Sequence, residues 1–264
     1  MTTRTVVVGA SSGLGRCIAA GLGKNGAHVA LLARRHDRLV EAAKEAGPDA
    51  VAIQCDVTDT SSCHDAIDQA AQELGGIDAL VYATGVGPLK KLVDIDHDLW
   101  SATFDTNVVG AALVTGAAIP HLSESQGVAA YLSSVSASAT PPWPGLGAYA
   151  VTKAALDKLV EAWRAEYPGI GFTRVVVGDC AGGDGDSMTE FASTWDAEVA
   201  AEVMPTWISR EYMAGALLDV DDLVRAVELV VKAGASACIP SIAVVPRPVP
   251  GGGGFIPEPT ADGA

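Results

Sequence analysis

Two side chains four residues apart, Tyr149 and Lys153, could carry proton-transfer chemistry in this sequence. The surrounding residues favour a helix, in which positions i and i+4 lie on the same face. A phenol ordinarily titrates near 10, and an ammonium about 4 Å away contributes roughly 4 kcal/mol at an effective dielectric constant near 20. We therefore expect Lys153 to lower the pKa of Tyr149 enough for the phenol to exchange a proton with a carbonyl or alcohol oxygen.

A glycine-rich segment, residues 9–15, follows the first predicted strand and begins the first predicted helix. Its three glycines allow a tight turn and let a pyrophosphate approach the helix N-terminus, whose free N–H groups favour anions. The segment therefore predicts a dinucleotide site. The residues expected to contact the cofactor are Gly9, Ser11, Ser12, Gly13, Leu14 and Gly15.

The end of the second predicted strand indicates which dinucleotide binds. An enzyme that uses NAD places an acidic residue there to hold the ribose 2′-hydroxyl, whereas a 2′-phosphate requires a cation. Ala33 stands at the acidic position, and Arg34 and Arg35 follow it. Because a guanidinium matches phosphate geometry and stays charged, the sequence predicts NADP(H).

The same glycine segment also matches G-x-S-x-G, the nucleophile elbow of α/β-hydrolases, with Ser11 as the nucleophile. That elbow normally lies in mid-sheet and is followed by an acid and a histidine. Here it would lie on the first strand, and no later histidine stands out after a strand. A serine hydrolase is the less favoured alternative.

Other residues around the Tyr/Lys pair extend the pattern. Ser133 and Ser134 end the preceding predicted strand, and residues 144–148, Pro-Gly-Leu-Gly-Ala, lead into Tyr149. Together with the glycine segment, residues 4–177 resemble the short-chain dehydrogenase/reductase (SDR) family. The resemblance implies an NADP(H)-dependent oxidoreductase that transfers a hydride between nicotinamide and a carbonyl or alcohol carbon.

The resemblance also implies roles for matching residues. Tyr149 would be the acid and base, and Lys153 would lower its pKa and hold the nicotinamide ribose. Asn107 would anchor a proton-relay water to Lys153, and Asp56 with Val57 would lie at the adenine. A dinucleotide-binding sensor or scaffold without catalysis is an alternative, which the complete set of catalytic residue types disfavours.

Two serines are candidates for the residue that binds the substrate oxygen. Ser134 has the expected place at the strand end, whereas Ser136 has the family's usual separation of thirteen residues from Tyr149. We favour Ser134, because the strand fixes its position if the two extra residues lie in the following loop.

The chain departs from the family pattern in two places. Residues 82–85, Tyr-Ala-Thr-Gly, replace Asn-Asn-Ala-Gly, so Ala83 and Gly85 are expected beside the cofactor without the asparagine hydrogen bonds. Residues 178–180, Gly-Asp-Cys, replace Pro-Gly, so the carboxamide contact can be assigned only loosely, to Thr189 or Ser187.

Short apolar strands alternate with longer Ala- and Leu-rich helical stretches along the chain, which predicts a parallel sheet covered by helices on both faces. The fold class is α/β: a single doubly wound Rossmann domain with a seven-stranded parallel sheet. The domain is expected over residues 1–245, with an irregular substrate loop or lid at 178–218 and a Pro/Gly-rich tail at 246–264. Tyr131, Trp143, Trp195 and Trp207 either line an apolar substrate pocket or, more commonly for such residues, pack in the core.

The charge and composition restrict the partners. A formal net charge of −15 opposes binding to nucleic acid or anionic lipid, and no long uncharged apolar run or signal-peptide pattern stands out. Scattered cysteines and histidines predict no metal site. We expect a cytoplasmic protein acting on a small, apolar carbonyl or alcohol substrate, and the family resemblance suggests a homo-oligomer, a dimer or tetramer.

Overall fold

A computed structural model describes residues 2–182, 191–213 and 215–247. Its centre is a parallel sheet of seven strands in the order β3-β2-β1-β4-β5-β6-β7. The strands are β1 Arg4–Val8, β2 His28–Ala33, β3 Val51–Gln54, β4 Ala79–Tyr82, β5 Val128–Ser134, β6 Gly171–Val177 and β7 Ser241–Val244. The predicted doubly wound α/β fold is confirmed.

Helices cover both faces of this sheet. They are α1 Gly13–Lys24, α2 His36–Ala46, α3 Thr60–Leu74, α4 His97–Phe104, α5 Gly110–Ser125, α6 Gly147–Glu166, α7 Ala197–Ser209 and α8 Val220–Val231. Alternate residues of β1 face opposite layers, as strand geometry requires: Val6 and Val8 pack in one core and Val7 in the other. The first core joins α3, α5 and α6 to the sheet, and the second joins α1, α2 and α8.

The strand order places the functional loops together. Because the order reverses between β1 and β4, the loops after these two strands leave the sheet side by side, which is where ligands bind in open α/β sheets. The backbone N–H of Ala83 donates to the carbonyl of Val8 at 2.9 Å. A methyl group on Gly9 would lie only 2.7 Å from Oγ1 of Thr84, so the two loops are in close contact.

The sequence predicts one long helix at 98–122, but the structure divides it. A π-helical segment, Asp105–Val109, separates α4 from α5. By length and composition, the stretch His97–Ser125 could cross a membrane, although 44% of its apolar window is buried inside the protein. Its inner face, with Val114, Ala118 and Leu122, packs in the core with α3 and the sheet.

The expectation of an irregular segment at 178–218 is wrong for α7. The Asp196 side chain caps this helix by accepting from the backbone N–H groups of Glu198 and Val199. Val203 and Trp207 on its buried face join Leu89, Trp143 and Leu146 in a third apolar cluster outside the two sheet cores. The capping residue Asp196 and the apolar spacing of this helix are visible in the sequence, and Pro205 lies inside it. Of the Pro/Gly-rich tail expected at 246–264, only residues 246 and 247 are among the described residues.

Candidate active site

Tyr149 and Lys153 both lie in the first half of α6 and face the carboxyl ends of β4 and β5. The Lys153 ammonium donates to the Leu132 carbonyl at 2.6 Å and lies 5.6 Å from the centre of the Tyr149 ring. A methyl group on Gly85 would be 3.3 Å from Lys153 Nζ, so the lysine also reaches the loop after β4. The structure therefore brings Tyr149, Lys153 and Gly85 into one site.

The electrostatics of this pair differ from the expectation. Burial raises the pKa of Tyr149 to about 12, and a hydrogen bond from Ser134 opposes the rise. Burial also lowers the pKa of Lys153 to about 8, while the nearby Asp157 carboxylate opposes that fall. The prediction that Lys153 would lower the Tyr149 pKa is wrong, because removal from water dominates the pKa of both groups.

Both candidate serines lie at the end of β5. Ser134 and Ser136 are buried, their hydroxyl oxygens are 3.0 Å apart, and the Ser136 backbone N–H donates to Ser134 Oγ at 3.2 Å. Ser134 is also the one whose side chain hydrogen-bonds to Tyr149. Ser134 is therefore the serine in contact with the phenol, and Ser136 is the hydrogen-bond partner of Ser134.

Asn107 lies fully buried in the π-helical segment. Its side chain accepts from the Val86 N–H and donates to the Val86 carbonyl, both at 2.8 Å, and it donates to Thr152 Oγ1 at 2.9 Å. These bonds tie the helix to the loop after β4 and to α6, next to Lys153. Thr152, which sequence reasoning missed, completes the connection by donating to the Tyr149 carbonyl at 2.8 Å.

Tyr82 stands where the family pattern has its first asparagine, and it makes a buried hydrogen bond of its own. Tyr82 is fully buried, and its hydroxyl donates to the Thr106 carbonyl at 2.6 Å. In a π-helical segment the regular i→i+4 ladder is interrupted, and carbonyls there need other partners. Gly110 leaves room for this contact, because a methyl group there would lie 2.8 Å from the Tyr82 hydroxyl. Tyr82 therefore fixes the segment that carries Asn107.

The glycine segment forms the predicted turn between β1 and α1. Gly9 and Gly13 adopt positive φ angles of 88° and 57°, a backbone conformation that favours glycine. A methyl group on Gly15 would lie 2.3 Å from the Gly9 carbonyl oxygen and 3.2 Å from Ala83 Cβ. Leu14 lies under the segment after β6, because a methyl group on Gly182 would meet Leu14 Cδ2 at 2.5 Å.

Arg35 reaches this segment and Arg34 does not. The Arg35 guanidinium donates to the Ser12 hydroxyl at 2.6 Å and to the Ser11 hydroxyl at 3.2 Å. Ser12 is the N-cap residue of α1, and its hydroxyl accepts from Arg35 instead of capping the first N–H groups of the helix. These donors suit an anion, and the residues present fit the phosphates of a dinucleotide.

The hydrolase alternative finds no support at Ser11. A guanidinium cannot accept a proton at any working pH, and within the described residues Ser11 has no histidine partner. The same residues contain no group of three histidine, cysteine or acidic side chains that could hold a metal ion.

Arg34 lies instead beside Asp56, whose pKa is lowered mainly by hydrogen bonds from Thr58 and also by the Arg34 charge. Asp56 Oδ1 accepts from the N–H and the hydroxyl of Thr58 at 3.0 and 2.8 Å. A surface cavity of about 490 Å³ here is lined by Arg34, Gln54, Asp56, Asp59, Ser61, Ser62, Asp65, Ala66 and Gln69. Val57, the next residue, is buried in the core beneath α5.

The aromatic residues divide into two groups. Tyr131 is a core residue: it lies on β5, is fully buried, and its hydroxyl is hydrogen-bonded to Thr115 Oγ1 at 2.8 Å. Trp143 and Trp207 are buried in the third cluster, and Trp195 is half-buried at its edge. Sequence reasoning missed Phe191, although its spacing of four residues from Trp195 was a signal.

Thr189 and Ser187, the two candidates for the carboxamide contact, lie outside the described residues.

Comparisons with known proteins agree with this geometry. A family model described as short chain dehydrogenase matches residues 3–195. A short chain dehydrogenase of Pseudocercospora fijiensis is 37% identical over 171 residues, which cover 63% of this chain and 55% of that protein. An 11-beta-hydroxysteroid dehydrogenase A of Sesamum indicum is 35% identical over 179 residues, 66% of this chain and 51% of that protein. The match thus spans about half the length of these two relatives.

The fold is also shared with solved structures. An alcohol dehydrogenase of the archaeon Thermococcus sibiricus, complexed with 5-hydroxy-NADP, superimposes with a TM-score of 0.76. The alignment covers 92% of this chain and 96% of that one at 23% sequence identity, so it shows a common fold. Because the family match extends over well more than half of the sequence, the chain belongs to the short chain dehydrogenase family.

Proposed function

We propose that this protein is an NADP(H)-dependent oxidoreductase that transfers a hydride between the nicotinamide and a carbonyl or alcohol carbon of a small, apolar substrate. The observation that carries the proposal is the convergence of Tyr149, Lys153, Ser134 and Asn107 at one point of the sheet edge. Family membership supports the same reaction type.

The glycine segment and its neighbours would hold the cofactor. The first N–H groups of α1 with the Ser11 and Ser12 hydroxyls would bind phosphate oxygens, and Arg35 would pair with the 2′-phosphate. Asp56 and Val57 would lie at the adenine, as the family resemblance implies. Gly9, Gly13, Leu14, Gly15, Ala83 and Gly85 would let the dinucleotide approach the backbone closely, and Arg34 would add positive charge at the adenosine end. When bound, NADPH supplies the hydride to the carbonyl carbon.

The chain's own residues would bind and protonate the substrate oxygen. Ser134 donates a hydrogen bond to that oxygen, and Tyr149 donates its proton as charge develops there. A Tyr149 pKa of about 12 keeps the phenol protonated at neutral pH, which is the state that carbonyl reduction needs. Lys153 would bind the nicotinamide ribose and stabilise the phenolate that forms on Tyr149 when it gives up its proton. Asn107 would hold the relay water.

The test is Tyr149→Phe, which removes the hydroxyl and keeps the ring. We expect a loss of kcat of roughly 10²- to 10⁴-fold, since that is the usual contribution of a positioned acid. The Kd of NADPH should change by less than about threefold, because the hydroxyl is not needed for phosphate binding. Steady-state reduction of a carbonyl panel and a fluorescence titration measure the two quantities. Full turnover in this variant would refute the assignment.

The partners follow from the same proposal. The protein acts on a small molecule, in the cytoplasm, and does not bind nucleic acid or a membrane, in keeping with its net charge of −15. We also propose a homo-oligomer, since Val109 and Val151 are exposed at 44% and 47% on neighbouring helical segments. Light scattering of the purified protein tests this, and a monomeric mass at micromolar concentration would contradict it.

A further inference from the structure

A pair of half-buried aromatic rings, Phe191 and Trp195, lies beside the proposed acid. The centre of the Phe191 ring is 4.8 Å from that of Tyr149, with the two planes tilted by 56°. Gly87 makes this approach possible, because a methyl group there would lie 2.1 Å from Phe191 Cζ. We call Phe191 and Trp195 the aromatic wall.

The aromatic wall is held in place by hydrogen bonds and stacked rings. The Trp195 indole N–H donates to the Gly87 carbonyl at 2.9 Å, and its edge meets Phe191 with ring centres 5.5 Å apart. Behind Trp195, the Trp207 ring is 5.8 Å away and its N–H donates to the Pro144 carbonyl at 2.9 Å. Since Trp207 is only 2% exposed, the wall is backed by a packed core and its rings are pre-positioned.

The aromatic wall packs against the third apolar cluster, whose buried members are Leu89, Trp143, Leu146, Val203 and Trp207. The Lys91–Glu202 ion pair lies at the exposed outside of α7, with both side chains about half in solvent. The Lys153 ammonium donates to the Leu132 carbonyl, so its charge is held among the catalytic residues.

We propose that the aromatic wall binds the body of the substrate and selects carbonyl compounds that carry an uncharged aromatic ring next to the carbonyl group. This rests on the proposed function. A carbonyl oxygen at the Tyr149 hydroxyl places its substituents within reach of Phe191, whose ring centre is only 4.8 Å from that of Tyr149. Aromatic pairs gain stabilisation beyond the burial of apolar area, so the wall favours a ring over an alkyl chain of equal size.

The experiment compares two ketones with eight carbons each, acetophenone and 2-octanone. Each reduction transfers one hydride from NADPH and one proton to the carbonyl, so loss of NADPH absorbance reports both rates. We expect a higher kcat/KM for acetophenone in the unaltered protein. Phe191→Leu, which keeps apolar volume and removes the ring, should lower the acetophenone to 2-octanone ratio roughly threefold to tenfold.

A matched control removes a different ring of the same cluster. Tyr212 stacks on Trp143 with ring centres 5.7 Å apart, away from Tyr149, so Tyr212→Leu should leave the ratio within about twofold. If Phe191→Leu does not fold by circular dichroism, Phe191→Met serves the same purpose. The NADPH Kd is measured for every variant and should stay constant.

Three results would overturn the proposal. They are no preference for acetophenone in the unaltered protein, an unchanged ratio in the Phe191 variant, and reduction of neither ketone by a protein that binds NADPH. A protein that does not bind NADPH contradicts the proposed function instead, so the two failures are distinguishable.

Discussion

The environment of Lys153 differs from the one that its spacing in the sequence suggested. The sequence suggested that its charge would act on Tyr149, yet burial moves both pKa values towards the neutral forms, to about 8 for Lys153 and about 12 for Tyr149. Spacing along a helix gives the separation of two groups but not their desolvation, which depends on residues from other elements. The approach of Gly85 and the Leu132 carbonyl to Lys153 could not be read from the i to i+4 spacing.

The lowered pKa of Lys153 predicts a specific pH dependence of stability without cofactor. Its folded pKa of about 8 lies below the ordinary 10.5, so the unfolded chain binds more protons between these values. The free energy of unfolding should therefore rise with pH from about 8 to about 10.5, by at most roughly 3 kcal/mol. Lys153→Met should lack this rise. Urea unfolding at several pH values measures it, and identical pH profiles for the two proteins would contradict the burial of the ammonium.

Arg34 and Arg35 are equivalent in the sequence but not in the structure. Arg35 lies on the Ser11 and Ser12 hydroxyls, whereas Arg34 lies beside the Asp56 carboxylate. Arg35→Ala should weaken NADPH binding by roughly tenfold to a hundredfold, the range for a lost charge-assisted hydrogen bond, and NADH binding by less than threefold. Arg34→Ala is the matched control with a smaller effect. Fluorescence titrations measure both, and an equal loss for NADPH and NADH in Arg35→Ala would show that it does not bind the phosphate.

At the scale of elements, the π-helical segment between α4 and α5 positions Asn107. The segment is held from three sides: by Tyr82 on β4, by Val86 in the loop after β4 and by Thr152 on α6. A buried carbonyl without a partner costs about 1–3 kcal/mol. The Tyr82 hydroxyl satisfies the Thr106 carbonyl and so stabilises an otherwise unfavourable backbone conformation.

Tyr82→Phe should therefore affect both stability and turnover. We expect a loss of about 1–3 kcal/mol in the free energy of unfolding, and a fall in kcat with little change in NADPH affinity, because Asn107 is displaced. Tyr131→Phe is the control, since Tyr131 is equally buried and its hydroxyl bonds to Thr115 instead. Chemical denaturation and steady-state kinetics separate the two effects. A similar kcat in both variants would mean that Tyr82 has only a structural role.

The elements that sequence patterns predicted well are those with strong local signals. The alternation of sheet strands and covering helices was predicted correctly, because nearly all-apolar strands alternate with Ala- and Leu-rich helical stretches along the chain. The interruption at Asp105–Val109 and the helix α7 were not predicted. The first depends on tertiary contacts from Tyr82, and the second contains Pro205, which locally disfavours a helix. The catalytic residue types were predicted. The supporting roles of Thr152 and Tyr82 were recognisable only in three dimensions, and Phe191 was missed despite its spacing from Trp195.

The whole molecule gathers its functional loops at one edge of the sheet. The reversal of strand order between β1 and β4 brings the glycine segment against residues 83–85, and β5 with α6 adds Ser134, Tyr149 and Lys153. The overall charge of −15 repels an anionic cofactor, so binding must come from local donors such as the start of α1 and Arg35. The dinucleotide phosphates must therefore be recognised tightly and locally in an otherwise acidic protein.

The most direct test of this account is a fluorescence titration of the purified protein with NADPH and, separately, with NADH at fixed salt concentration. We predict that NADPH binds at least tenfold more tightly than NADH, because Arg35 with Ser11 and Ser12 recognises the additional phosphate. Equal affinities would contradict the proposed NADP(H) specificity, and binding of neither dinucleotide would contradict the proposed oxidoreductase function itself.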